Sequence, residues 1–171
     1  MELELGICTI RSWRPGDEIS LVRHANNRAV WRNMRDRFPH PYTDEDARRW
    51  VEINTTVFPE TSFAICVEGA AVGGIGIVRG EDVHRRSAEI GYWLGEDAWG
   101  RGIATVAVRA FTDWAFASFG LARIHADVFA WNPASMRVVE KAGYTLEGRL
   151  RRSVFKDGEF TDQLIYAVVR E

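Results

Sequence analysis

Cysteine is nearly absent from this sequence: Cys8 and Cys66 are the only two, and each lies in an apolar, strand-like run. Two isolated thiols exclude a disulfide framework and a cysteine zinc site, so both read as small core residues. Proline is sparse too, at five residues, and no linker, internal repeat or low-complexity stretch interrupts the chain. One domain spanning residues 1–171 is therefore expected, large enough to bury a core without a metal. No apolar run approaches the roughly 20 residues that span a bilayer. The opening residues Met1-Glu2-Leu3-Glu4 are acidic and unlike a signal peptide, so a cytoplasmic protein with no membrane partner is expected. An excess of positive charge is missing too. The net charge of −2 argues against nucleic acid as a partner, though it allows a local basic patch for one phosphorylated ligand. No Gly-Lys-Ser/Thr follows any glycine turn, which excludes a Walker phosphate loop.

What is present is an alternation of strand-like and helix-like segments. Residues 5–13 read as a first strand, stopped by Arg14-Pro15-Gly16. Asp17 suits a helix N-cap, with Ile19, Val22 and Ala25 beginning an amphipathic helix. A short helix over 28–34 precedes Phe38-Pro39-His40-Pro41-Tyr42, where two prolines forbid regular helix. Thr43 with Asp44-Glu45-Asp46 restarts one. Residues 62–68 and 71–79 form a hairpin pattern, and Gly73, Gly74 and Gly76 suit close packing within it. A strand over 88–94, a long helix over 102–119 and a strand over 123–130 follow. Next come a helix over 133–141 capped by Asn132 and a closing strand pair, 144–155 with 160–169. The predicted fold is α/β (α+β): a mixed, mostly antiparallel sheet of about six or seven strands with helices on both faces.

The chemically informative stretch is Ile90-Gly91-Tyr92-Trp93-Leu94-Gly95-Glu96-Asp97-Ala98-Trp99-Gly100-Arg101-Gly102-Ile103-Ala104-Thr105. A strand runs into a glycine turn and directly into the longest helix. The first N–H groups of that helix lack internal partners, and with the helix dipole they suit an anion. Gly100 and Gly102 would let a phosphate approach the backbone.

With Ala88-Glu89, Asn132-Pro133-Ala134-Ser135, Glu140-Lys141-Ala142-Gly143-Tyr144, Phe38 to Thr43 and Asp162-Gln163-Leu164-Ile165-Tyr166, this stretch resembles the GNAT superfamily of N-acetyltransferases. The likeness is greatest to its branch acting on N-terminal amines of ribosomal proteins. The resemblance implies acetyl-coenzyme A as co-substrate and no metal. It implies that Trp93 and Leu94 hold the pantetheine arm and acetyl carbonyl. Amides of Gly100, Arg101, Gly102, Ile103, Ala104 and Thr105 would hold the pyrophosphate. Asn132 would bond the cofactor's arm, Ser135 would lie near its sulfur, and Arg137 would meet coenzyme phosphates unless it only faces water. Trp99 departs from the superfamily's usual Gln or Arg at that point of the loop.

An alkyl amine must lose a proton before it attacks. Glu89 shares a strand face with Gly91 and Trp93, turned toward the half where Phe38 and Tyr42 would wall an acceptor pocket. It is the candidate base, or else it only orients or attracts the amine. Ser135 either donates to the departing sulfur or ties its own helical turn. His125, Tyr166 and Asp162 are lesser candidates. The expected activity is direct acetyl transfer to a primary amine, with a protein N-terminus as one candidate acceptor, by a monomer or homodimer. The alternatives are acetylation of a small amine, such as a polyamine, amino acid or antibiotic, and an acyl-CoA-binding sensor without turnover.

Overall fold

The structure, a computed structural model, describes all residues from Met1 to Glu171. Its strands are β1 (Glu2–Glu4), β2 (Thr9–Arg11), β3 (Ser62–Val67), β4 (Ala70–Arg79), β5 (Ser87–Leu94), β6 (Arg123–Phe129), β7 (Thr145–Lys156) and β8 (Glu159–Val169). Its helices are α1 (Glu18–Ala25), α2 (Arg28–Trp31), α3 (Asp44–Thr56), α4 (Ile103–Phe119) and α5 (Pro133–Lys141). The eight strands form one mixed sheet in the order β1-β2-β3-β4-β5-β6-β8-β7. The β5–β6 pair is parallel, whereas the β1–β2, β2–β3, β3–β4, β6–β8 and β7–β8 pairs are antiparallel. The class is the one expected, with eight strands rather than six or seven.

The chain divides into two compact units. The first holds Met1–Gly76 and Tyr92–Ala107. Its core gathers Trp13, Leu21, Ala25, Tyr42, Ala47, Val51, Ala64, Cys66 and Ala71, with Phe38 and Trp93 packed against it. The predicted first strand over 5–13 is a hairpin instead. Gly6 takes a left-handed φ of 78°, the Leu5 N–H donates to the Cys8 carbonyl at 2.9 Å, and β1 folds back on β2. Cys8 and Cys66 are both free and buried, as their apolar runs suggested. Burial pushes the Cys66 thiol up to about 11.

Asp17 occupies the N-cap position of α1 but makes no capping bond there. Its carboxylate instead takes two bonds from the Arg11 guanidinium, at 2.8 and 2.7 Å, and one from the Arg14 N–H. The hydrogen bond from Arg11 to Asp17 holds its guanidinium above its ordinary range, and both side chains are buried. The predicted apolar stripe on α1 is also displaced. Ile19 is 84% exposed, whereas Leu21 and Ala25 are buried. The predicted helix over 28–34 stops after Trp31, with Asn27 capping it through the Ala29 and Val30 N–H groups. Thr43 and Asp46 form the expected reciprocal capping box at α3. The Gly73 prediction holds: a Cβ there would lie 2.2 Å from the Trp93 carbonyl oxygen.

The second unit holds Ile77–Gly91 and Val108–Glu171. Strand β6 alternates buried Ile124, Ala126 and Val128 with half-buried Arg123, His125, Asp127 and Phe129, the period of a strand covered on one face. On α4, Thr112 is buried and shares a 2.7 Å hydrogen bond with the Tyr144 hydroxyl. Asp157 and Gly158, both at positive φ, make the β7–β8 turn.

The Arg11–Asp17 pair yields a stability test. Removing one partner strands a buried charge, so Asp17→Ala should lower unfolding free energy by about 3–5 kcal/mol in urea titration. A loss typical of an exposed salt bridge would show that the pair contributes little.

Candidate functional site

In the first unit, β5 ends at Leu94 and passes through a short 3-10 turn, Glu96–Ala98, into α4. Gly100 and Gly102 adopt left-handed φ values of 72° and 79°, a conformation that L side chains rarely take. No heavy atom lies within 4 Å of where a Cβ would stand on either residue. The backbone at the head of a 17-residue helix is therefore open to a ligand. Arg101 is exposed, Ile103 is buried, and Ala104 and Thr105 are partly covered. The turn is open, as the glycine spacing implied, and a helix start of this kind is chemically suited to an anion such as a pyrophosphate.

Trp99 has a role that its residue type did not reveal. Its indole N–H donates to the Leu94 carbonyl at 2.8 Å, closing the turn back onto the end of β5. The side chain that departs from the superfamily's usual Gln or Arg is part of what shapes the loop. The turn is braced from α1 and α2 as well. Asn27 Nδ2 donates to Glu96 at 2.7 Å, and His24 packs so closely beneath Gly95 that a Cβ there would meet Nδ1 at 2.4 Å. Burial and neighbouring Arg23 hold the His24 imidazole below its usual range.

Phe38, Tyr42 and Trp93 come together as the sequence suggested. Phe38 meets Tyr42 at a centroid distance of 5.1 Å and Trp93 at 5.4 Å, edge to face. The Tyr42 N–H donates to Asn26, and burial drives its hydroxyl far above the ordinary tyrosine range. Next to them Trp31 stacks on His40 at 5.5 Å, with the Arg28 guanidinium 5.7 Å from the Trp31 ring.

In the second unit, Glu89 pairs in register with His125 across the parallel β5–β6 ladder. One ligand atom each from Glu89, His125 and Asp127 lies within 4.8 Å of the others. Asp127 is held from β8 by Gln163 Nε2 at 2.9 Å, and His125 Nε2 stands 4.0 Å from Asp127. The His125 Nδ1 atom is buried without a hydrogen-bond partner. The sequence reading ranked His125 low and did not single out Asp127. The signal was the alternation along β6, which becomes informative only once its register with Glu89 is known.

Asn132 caps α5, its side chain accepting from the Ser135 N–H at 3.1 Å. That bond gives Asn132 a structural role alongside the one implied by resemblance. Arg137 is exposed one turn along, on the face that also carries Lys141. Of the lesser candidates, Tyr166 is buried and donates to Glu140 at 3.1 Å, while Asp162 is bound by Arg149 and the Arg152 N–H. Burial and Glu140 raise the Tyr166 hydroxyl above its ordinary range.

Residues 8–145 match the family model described as "Acetyltransferase (GNAT) domain". The ribosomal-protein-serine acetyltransferase of Escherichia coli K12 is 32% identical over 128 residues, 73% of this chain and 71% of its own. The spermidine N(1)-acetyltransferase of the same strain is 27% identical over 61% of this chain and 56% of its own. The chain spans about half the length of the first curated relatives it matches, 55% and 46%. Among solved structures, a ribosomal L7/L12 alpha-N-protein acetyltransferase in complex with coenzyme A superposes with a TM-score of 0.85 at 20% identity, covering 99% of this chain and 98% of that one. No helix is long and apolar enough to cross a membrane.

The phosphate cradle is testable against a matched control. Gly102→Val and Gly16→Val both place a branched residue at a left-handed position with open space around it. Each should cost about 1–3 kcal/mol of stability. Only Gly102→Val should also weaken acetyl-CoA binding strongly by calorimetry. Equal affinity in the two folded variants would overturn the assignment of the phosphate site.

Proposed function

Because the chain belongs to the GNAT acetyltransferase family, we propose that it is one acetyltransferase domain moving the acetyl group of acetyl-CoA directly onto a primary amine, a protein N-terminus. The observation that carries this reading is the open left-handed turn at Gly100 and Gly102, closed by Trp99 onto β5 and leading into α4. Backbone N–H groups of residues 100–105 take the pyrophosphate. Trp93 and Leu94 guide the pantetheine arm, with Asn132 as a further contact, and Arg137 supplies charge for the coenzyme phosphates. Phe38 and Tyr42 form the wall against which the acceptor sits.

Three tasks follow from the chemistry, and each falls to named groups. The ammonium must lose a proton, and Glu89 accepts it, directly or through water. His125 and Asp127 stand within 4.8 Å of it, so an imidazole is at hand to carry the proton onward. Negative charge then develops on the acetyl carbonyl oxygen, which the Leu94 N–H stabilises. As the C–S bond breaks, the Ser135 hydroxyl donates to the sulfur. The thiol's ordinary pKa of about 8.5 makes that help useful but not essential. No covalent intermediate on the protein is required, and the buried Cys8 and Cys66 are unsuited to form one.

Glu89→Gln should lower kcat at neutral pH by roughly 10²–10⁴-fold, the range of general base catalysis. Activity should recover in part at higher pH, where more amine is already neutral. Identical pH–rate profiles for the two enzymes would remove Glu89 from the mechanism.

Ser135→Ala separates a functional from a structural hydroxyl. If Ser135 assists the sulfur, kcat should fall while acetyl-CoA affinity and melting temperature hold, because the bond strengthens only in the transition state. Asn132→Ala is the contrast. Losing the cap to the Ser135 N–H should cost about 0.5–2 kcal/mol of stability and weaken cofactor binding together. A Ser135→Ala enzyme with normal turnover would leave the departing sulfur unassisted.

A further inference from the structure

Building on the acceptor wall just described, we propose that the acceptor is a peptide N-terminus followed by acidic residues, recruited by the arginines of segment 23–37. The chain as a whole is nearly balanced, with 22 Lys and Arg against 24 Asp and Glu. This segment is not. Arg23, Arg28, Arg32, Arg35 and Arg37 stand there against Asp36 alone, and all five are exposed. Burial and Arg23 also lower the pKa of His24, which disfavours its charged form.

Position gives the charge its meaning. The segment leads directly into Phe38, whose ring meets Tyr42 and Trp93. Trp31, from within the segment, stacks on His40 of the same loop, and Arg28 lies over Trp31. Arg28, Trp31 and His40 thus tie the positive segment to the loop that carries Phe38 and Tyr42. The acids that face the segment are Asp97, 3.9 Å from Arg23, and Glu96, which accepts from Asn27, while Asp46 at the head of α3 is committed to the capping box with Thr43.

The residue type sharpens the inference. Every cation in the segment is arginine, whose planar fork matches a carboxylate with two parallel hydrogen bonds. Such a field attracts acidic ligands and repels a polycation. A small polyamine, carrying several positive charges and no carboxylate, would meet like charge on the approach. An acidic peptide would meet complementary charge beyond its reacting amine and hydrophobic cover close to it.

The test uses the full chain at saturating acetyl-CoA, with thiol release as the readout. Two peptides of equal length share a first residue, and aspartate and glutamate follow it in one, lysine in the other. Spermidine is the third acceptor. At low salt the acidic peptide should show kcat/KM at least ~10-fold above the lysine peptide and spermidine, with the gap closing as salt rises. A combined Arg32→Glu, Arg35→Glu, Arg37→Glu variant should narrow or reverse that gap while acetyl-CoA affinity by calorimetry stays constant. If spermidine or the lysine peptide matches the acidic peptide in the wild-type enzyme, the proposal is overturned while amine acetylation stands. An acidic preference that survives the triple charge reversal would also overturn it. Refusal of all three amines would overturn the proposed function as well.

Discussion

The constraint on which the site depends is the way the chain passes from β5 into α4. A helix that begins at Ile103 starts with N–H groups that no earlier turn can satisfy. The backbone reaches it through two left-handed glycines, a geometry with a narrow choice of residues. Bonds on both sides hold it. The Trp99 indole returns to Leu94, the Ala98 and Trp99 N–H groups bond back to Gly95 and Glu96, and Asn27 reaches Glu96 from the neighbouring helical segment. The donors are thus fixed by folding, before any ligand arrives. Little ordering would remain to be done on binding a polyanion at the proposed phosphate site.

The aromatic rings of the first unit are tied to its own core. Trp13, Tyr42, Phe38 and Trp93 belong to one packed cluster. A shift of the loop around the two prolines would therefore be felt by Trp93, and through it by the end of β5. In the second unit the polar groups are arranged by strand register. Alternation puts His125 and Asp127 on one face of β6, the parallel ladder brings Glu89 beside His125, and Gln163 on β8 fixes Asp127 from the other side.

What the sequence made legible was whatever is decided locally. Thr43 with Asp46, Asn132 with Pro133, and Asp157 with Gly158 each act within a few residues, so their patterns could be read directly. The turn at Gly100 and Gly102 was legible for the same reason. The failures involve distant partners or overlapping signals. Asp17 has the right type and place for a cap, but Arg11 on β2 claims its carboxylate. The β1–β2 hairpin was hidden because its turn at Gly6 lies inside an apolar run that reads as one strand. The role of Trp99 was hidden because its bond to Leu94 is a matter of turn geometry, invisible in the list of residue types. Asp127 gains interest only through a register that joins positions far apart in the chain.

The burial of both thiols has a practical consequence. Cys8 is 5% exposed and Cys66 is 2%, and burial raises the pKa of each above the ordinary thiol range. The reactive species of a cysteine is its thiolate, so neither residue offers much to an electrophile or a disulfide reagent. An acetyl transfer from a thioester liberates one free thiol per turnover. In a mixture of this protein and its donor, a thiol-specific chromophore would therefore count the liberated coenzyme against a nearly silent protein background, and the folded chain could be followed continuously without masking its own sulfur.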